Sequence, residues 1–205
     1  MRASWGAWAA RRRSGAGVKG AQKLTRPARP PQAFMEHLPS HQLSMTVLMT
    51  PDMANFSGNV HGGTILKFLD QVAYACASRY AGRYVVTLSV DQVMFRQPIH
   101  VGELVHFLAS VNHTGTSSME IGIKVVAENI RTQVVRHANS CFFTMVAVDE
   151  EGKPVAVPPL KPANQDERRR WANAKVRRQL RSEMEQRQAE VRQAPPPPPD
   201  QPLEG

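Results

Sequence analysis

Cysteine is scarce in this 205-residue chain: there are two, Cys76 and Cys141, each inside an apolar run and neither in a C-x-x-C pair. That spacing excludes a disulfide framework and a thiolate metal centre, and it points to two buried, inert thiols in a reducing compartment. Long apolar runs are missing too, since no stretch approaches the ~18 consecutive apolar residues of a membrane span. Met1 to Ala10 is too short and broken for a secretory signal, although Arg11, Arg12 and Arg13 follow it. Finally, the middle of the chain lacks net charge. The formal +9 divides into +7 over residues 1–40 (8 basic, 1 acidic), zero over 41–163 (9 of each) and +2 over 164–205 (9 basic, 7 acidic). A core with no basic footprint gives nucleic acid nothing to hold, so no nucleic-acid partner is expected.

What is present divides the chain into four parts. Residues 1–40 are rich in Arg, Ala, Gly and Pro, carry no acid before Glu36, and read as a disordered basic extension. Either a transit peptide over residues 1–34 or a true start at Met35 fits that composition. The expected location is the cytoplasm, or an organelle in the first case. Residues 41–163 form the folded domain. Residues 164–193 form a charged helix opened by a capping box, Asn164 with Glu167, with Val176, Leu180 and Met184 as a thin apolar stripe that leans on a neighbour. Residues 194–205 are a disordered Pro-rich tail.

Within the domain, Ser44 to Met49 alternates as a strand and Asp52 to Gly63 is a loop. Thr64 to Tyr80 has helical spacing and is closed by Gly82. Four β-rich runs follow, at Tyr84–Phe95, Leu104–Asn112, Ser118–Glu128 and Val134–Val148, joined by short turns that favour antiparallel neighbours. This is an α+β pattern: an antiparallel sheet of about five strands wrapped around one long central helix.

The chemistry concentrates at Gly58-Asn59-Val60-His61-Gly62-Gly63 and the helix behind it. A glycine-rich turn at a helix start exposes backbone N–H groups where partial positive charge collects. Asp70 stands among Ile65, Leu66, Phe68, Leu69, Val72, Ala73, Ala75 and Cys76, so it is expected to be a buried carboxylate kept for a task. The plainer reading pairs it with Lys67 at spacing three on a solvated face. Asn59 in such a loop is by default a turn residue, and His61 beside two glycines is by default structural, with general-base work as its alternative. The remaining histidines are too scattered for metal spacing, so no metal is expected.

These residues resemble a known family. GNVHGGTILKFLDQVAYACASRYAG, VVTLSVDQVMFRQPIHVGELV and GTSSMEIGIKV are similar to segments of the hotdog-fold acyl-CoA thioesterases, in the group with bacterial single-domain and double-hotdog brain-type enzymes. The resemblance implies a hotdog fold and hydrolysis of fatty acyl-CoA to free acid and coenzyme A (CoA), without metal or organic cofactor. It further implies a homodimer that completes each active site, and a hexamer of three dimers. It assigns Asn59 and Asp70 as the catalytic pair, from different protomers, with Asp70 as general base or as nucleophile. The N–H groups of Gly62 and Gly63 receive the oxyanion. It places Thr116, Ser117 and Ser118 near the CoA nucleotide; Arg79, Arg83 or Arg96 is the expected phosphate partner at the surface. Relatives often carry a basic residue where this chain has Thr116. Two other readings stay open: a hotdog dehydratase acting on 3-hydroxyacyl thioesters with His61 as base, and a non-catalytic acyl-CoA-binding protein.

Overall fold

The computed structural model describes residues 38–91 and 93–193. The Pro-rich tail, and all but the last three residues of the basic extension, lie outside the described residues. Five strands form one antiparallel sheet: β1 (Gln42–Leu48), β2 (Val85–Val90), β3 (Leu104–Thr114), β4 (Ser118–Asn129) and β5 (Val134–Ala147), in the order β1-β3-β4-β5-β2. Between β1 and β2 the chain makes a 3-10 turn at Pro51–Met53 and the helix α1 (Gly62–Ala81). This is the expected α+β arrangement.

Alternation with period two sets the inner face of the sheet. Val105, Phe107, Ala109 and Val111 of β3, Met119, Ile121, Ile123 and Val125 of β4, and Cys141, Phe143, Met145 and Ala147 of β5 are all buried. Against them lies α1, which touches every strand. Its buried residues are Ile65, Leu69, Val72, Ala73, Cys76, Ala77 and Ala81, a single stripe at helical spacing. Leu66, Asp70 and Tyr74, on the opposite face at intervals of four, are exposed. The helix ends where Gly82 takes a left-handed φ of 63°, its N–H bonded to Ser78 O. Among the described residues no helix is long and apolar enough to cross a membrane.

β2 is shorter than the alternation suggested. Its ladder with β5 slips between Thr87 and Ser89, and beyond Val90 the chain leaves the sheet. Asp91 N–H still reaches Phe142 O at 2.9 Å, while its carboxylate turns to Arg181 at 2.7 Å. β2 is an edge strand, and its Val86, Leu88 and Val90 are all exposed.

The second helix, α2 (Gln165–Gln193), crosses the outer face of the sheet. Glu167 meets His41 just before β1, and Trp171 packs against His113 of β3. Arg177 pairs with Glu120 of β4 and lies over the Phe142 ring of β5, and Arg181 ends at Asp91 beyond β2. The sequence order along the helix is therefore the strand order across the sheet. Aromatic and arginine contacts hold it, not the stripe expected to do so: Val176, Leu180 and Met184 are all more than half exposed.

Candidate active site

The loop before α1 is built around Asn55. Its backbone N–H donates to Asn59 O at 2.7 Å, and its side-chain Oδ1 accepts from the N–H groups of Ser57 (2.9 Å) and Asn59 (3.1 Å). With the oxygen engaged twice, the amide NH2 of Asn55 is turned away from the loop backbone and is left as a donor. Gly58 sits at the loop tip with φ of 77°, a conformation that side chains disfavour. Asn59 is half-buried, engages through its backbone, and forms an isolated bridge with His100. Asn55, Asn59, Val60, Gly62, Phe95 and Arg96 line one cavity of about 290 Å³.

His61 is the N-cap of α1, and its Nδ1 accepts the Gly63 N–H at 2.9 Å. Two expectations change as a result. The Gly63 N–H is spent on His61, so it is not free for an oxyanion in this conformation. The Gly62 N–H, at the first helical position, has no hydrogen-bond acceptor among the described residues, and Gly62 lines the cavity. The Nδ1 of His61 is engaged as the acceptor of this cap and is not free for general-base work in this conformation.

Asp70 corrects the sequence reading more plainly. It is exposed, not buried, because its helical face is the one the sheet does not cover. No ion pair joins it to Lys67 among the described residues. Its partner is Thr87 of β2, whose Oγ1 donates to Asp70 Oδ1 at 2.8 Å. Thr87 played no part in the sequence reading; only its place in the VVTLSV segment marked it. Asp70 does not line the cavity of Asn55 and Gly62.

The CoA candidates separate. Arg96 belongs to the cavity of Asn55, whereas Ser118 lines another, of about 270 Å³, with His113, Arg178 and Ser182. Thr116 and Ser117 sit in the β3–β4 turn, where their carbonyls accept from Val157 and Ala147 N–H. The two cysteines are buried as expected, and burial pushes both thiols up to about 12. Among the described residues no group of His, Cys, Asp and Glu could hold a metal ion.

Comparison with known proteins places this geometry. Residues 57–134 match the thioesterase superfamily. Over 141 residues, 69% of this chain and 80% of the relative, the chain is 49% identical to protein VdlD of Helicobacter pylori. The structure of an apo-hexameric acyl-CoA thioesterase superposes with a TM-score of 0.69 at 34% identity, over 71% of this chain and 93% of that one. This chain belongs to the hotdog-fold acyl-CoA thioesterase family.

A third member of the family, the acyl-CoA hydrolase of Staphylococcus aureus, bears on the site directly. Its structure in complex with butyryl-CoA, CoA and CoA disulfide has a TM-score of 0.66 at 30% identity, covering 74% of this chain and 94% of that one. Structures also exist of its variants with alanine in place of an Asn at position 28, an Asp at 43 and a Thr at 60. Those intervals of 15 and 17 residues equal the intervals from Asn55 to Asp70 and from Asp70 to Thr87 in this thioesterase-family chain.

Proposed function

We propose that the protein hydrolyses acyl-CoA thioesters to free acid and CoA, at a site completed by two copies of the chain. One copy supplies the loop of Asn55 and Gly62, and the other supplies Asp70 with Thr87. The observation that carries this reading is the exposed Asp70–Thr87 pair beside the open β2 edge, outside the cavity that the loop lines. Asp70 lies eight residues along α1 from Gly62, or ~12 Å at 1.5 Å per residue. A single water bonds groups only ~2.6–3.2 Å away on each side, so it cannot bridge that gap within one chain. A second copy paired through β2 closes it.

In this mechanism Asp70 removes a proton from a water that attacks the thioester carbonyl carbon. Thr87 fixes Oδ1 and leaves Oδ2 to meet the water. The Gly62 N–H and the Asn55 amide donate to the oxygen on which charge develops. The C–S bond then breaks, and CoA departs as a thiolate. The role expected of Asn59 passes to Asn55, supported by the matching intervals and by the anchored Oδ1; Asn59 holds the loop. The His61 cap disfavours the dehydratase reading, which needs that ring as base.

Arg96 is the proposed phosphate contact beside Asn55. Thr116, Ser117 and Ser118 keep a CoA role only where a second copy brings their turn to that cavity. A hexamer of three such dimers, a cytoplasmic location and a place in fatty-acid metabolism complete the proposal. Release of CoA from saturated acyl-CoAs of graded length tests it. Turnover that falls at least a hundredfold in Asp70→Asn supports the assignment. Absence of CoA release from any saturated substrate refutes hydrolysis.

A further inference from the structure

The loop that carries Asn55 and Gly62 is tied to the sheet through two neighbouring backbone contacts. Asn59 bridges His100, and Val60 N–H donates to Ile99 O at 2.7 Å. Yet Ile99 and His100 lie in no strand. Their conformation is set one step further back. The Glu103 carboxylate accepts the His100 N–H at 2.8 Å, and the Glu103 N–H donates to His100 O at 3.2 Å. Its own carbonyl accepts Met49 N–H at 2.9 Å, and Gly102 N–H donates to Met49 O at 2.7 Å. Glu103 is only 5% exposed, an expensive place for a carboxylate without a counter-charge. Arg136 of β5 supplies one, with Nη2 at 2.8 Å from Oε1 and at 2.5 Å from Oε2.

We infer that Glu103, held by Arg136, is a positioning residue for the catalytic loop. The ion pair fixes the carboxylate, the carboxylate fixes the His100 N–H, and the 99–100 segment fixes Asn59 and Val60 and so the aim of Asn55 and Gly62. Glu103 touches no reacting atom. Its effect reaches catalysis through the backbone, and it rests on the hydrolytic reading above. A buried pair serving stability alone would lower the melting temperature without altering the loop or the turnover of folded protein.

Two variants and two readouts separate these cases. Glu103→Ala removes the acceptor from the His100 N–H, whereas Glu103→Gln keeps a side-chain oxygen there. In Glu103→Ala, amide exchange at Asn59 and Val60 accelerates by about tenfold relative to the amides of β4, the equivalent of one lost hydrogen bond. Well below the melting temperature, kcat falls by about tenfold while KM stays within about threefold. Glu103→Gln restores both quantities to within about threefold of the wild type. Arg136→Lys, which keeps the charge but replaces the Nη2 that meets both carboxylate oxygens, gives an intermediate effect and guards against a Glu103→Ala variant that fails to fold. Unchanged exchange at Asn59 and Val60 in a folded Glu103→Ala variant overturns the inference, as does unchanged kcat. A wild-type protein that releases no CoA instead overturns the hydrolytic reading, and the exchange result still decides the role of Glu103.

Discussion

One hydrogen bond from Thr87 occupies Oδ1 of Asp70 and leaves Oδ2 as the oxygen proposed to meet the attacking water. Removing that bond in Thr87→Val is expected to lower kcat ~10–100-fold, the range for a bond to a charged group. Thr87→Ser is expected to stay near the wild type. At the loop, Asn55→Ala is expected to lose most turnover and Asn59→Ala little, since Asn59 engages its neighbours through the backbone; kcat/KM for one acyl-CoA decides between them. With both thiols pushed up to about 12 by burial, Cys76 and Cys141 should resist alkylation at pH 8 in the folded protein and react once it is unfolded, as mass spectrometry can follow. Asp70 was legible as a solitary carboxylate in an apolar helix, and its exposure only through the plainer reading of a solvated face. Leu66 and Tyr74 share its face and resemble core residues in sequence, although that face stays uncovered in the single chain. Asn55, proposed in place of Asn59, had no signal in the sequence because an Asn in a Gly-rich loop betrays nothing of where its side-chain oxygen goes.

The start of α2 illustrates an element whose signal was local and complete. Asn164 Oδ1 accepts the Glu167 N–H at 2.9 Å, and Glu167 reaches back to the Ala163 N–H at 2.7 Å. That backbone bond is the foremost cause holding the Glu167 carboxyl below the usual carboxylate range, with His41 and Asn164 adding to it against the opposing cost of burial. A carboxyl lowered in the folded state contributes stability above its unfolded value, near 4.5, and loses it as pH falls through the lower, folded value. Glu167→Gln should therefore melt lower than the wild type at neutral pH, and the gap should close as pH falls from 4.5 through the lower, folded value. At α1 the cap is His61, and His61→Ala is expected to cost about 1 kcal/mol in denaturant unfolding. Strand positions were legible from alternation, but the end of β2 was not. Asp91 leaves the strand to meet Arg181, 90 residues further on, and no local pattern carries that pairing.

For the whole molecule, the decisive proposal is the division of the site between two copies. Fold class and sheet composition could be read from the chain because alternation and helical spacing are local. The proposed completion of the site by a second copy is a property of surfaces, supported by the uncovered face of Asp70 and the free edge of β2. Mixing two inactive variants, Asn55→Ala and Asp70→Asn, after reversible dissociation measures this directly. In a mixed dimer with shared sites, one of the two sites receives Asn55 and Asp70 from chains that each retain the needed residue. With random pairing, the account predicts recovery of about a quarter of wild-type CoA release. No recovery from a mixture shown to contain mixed dimers would contradict it, because each site would then draw Asn55 and Asp70 from one chain.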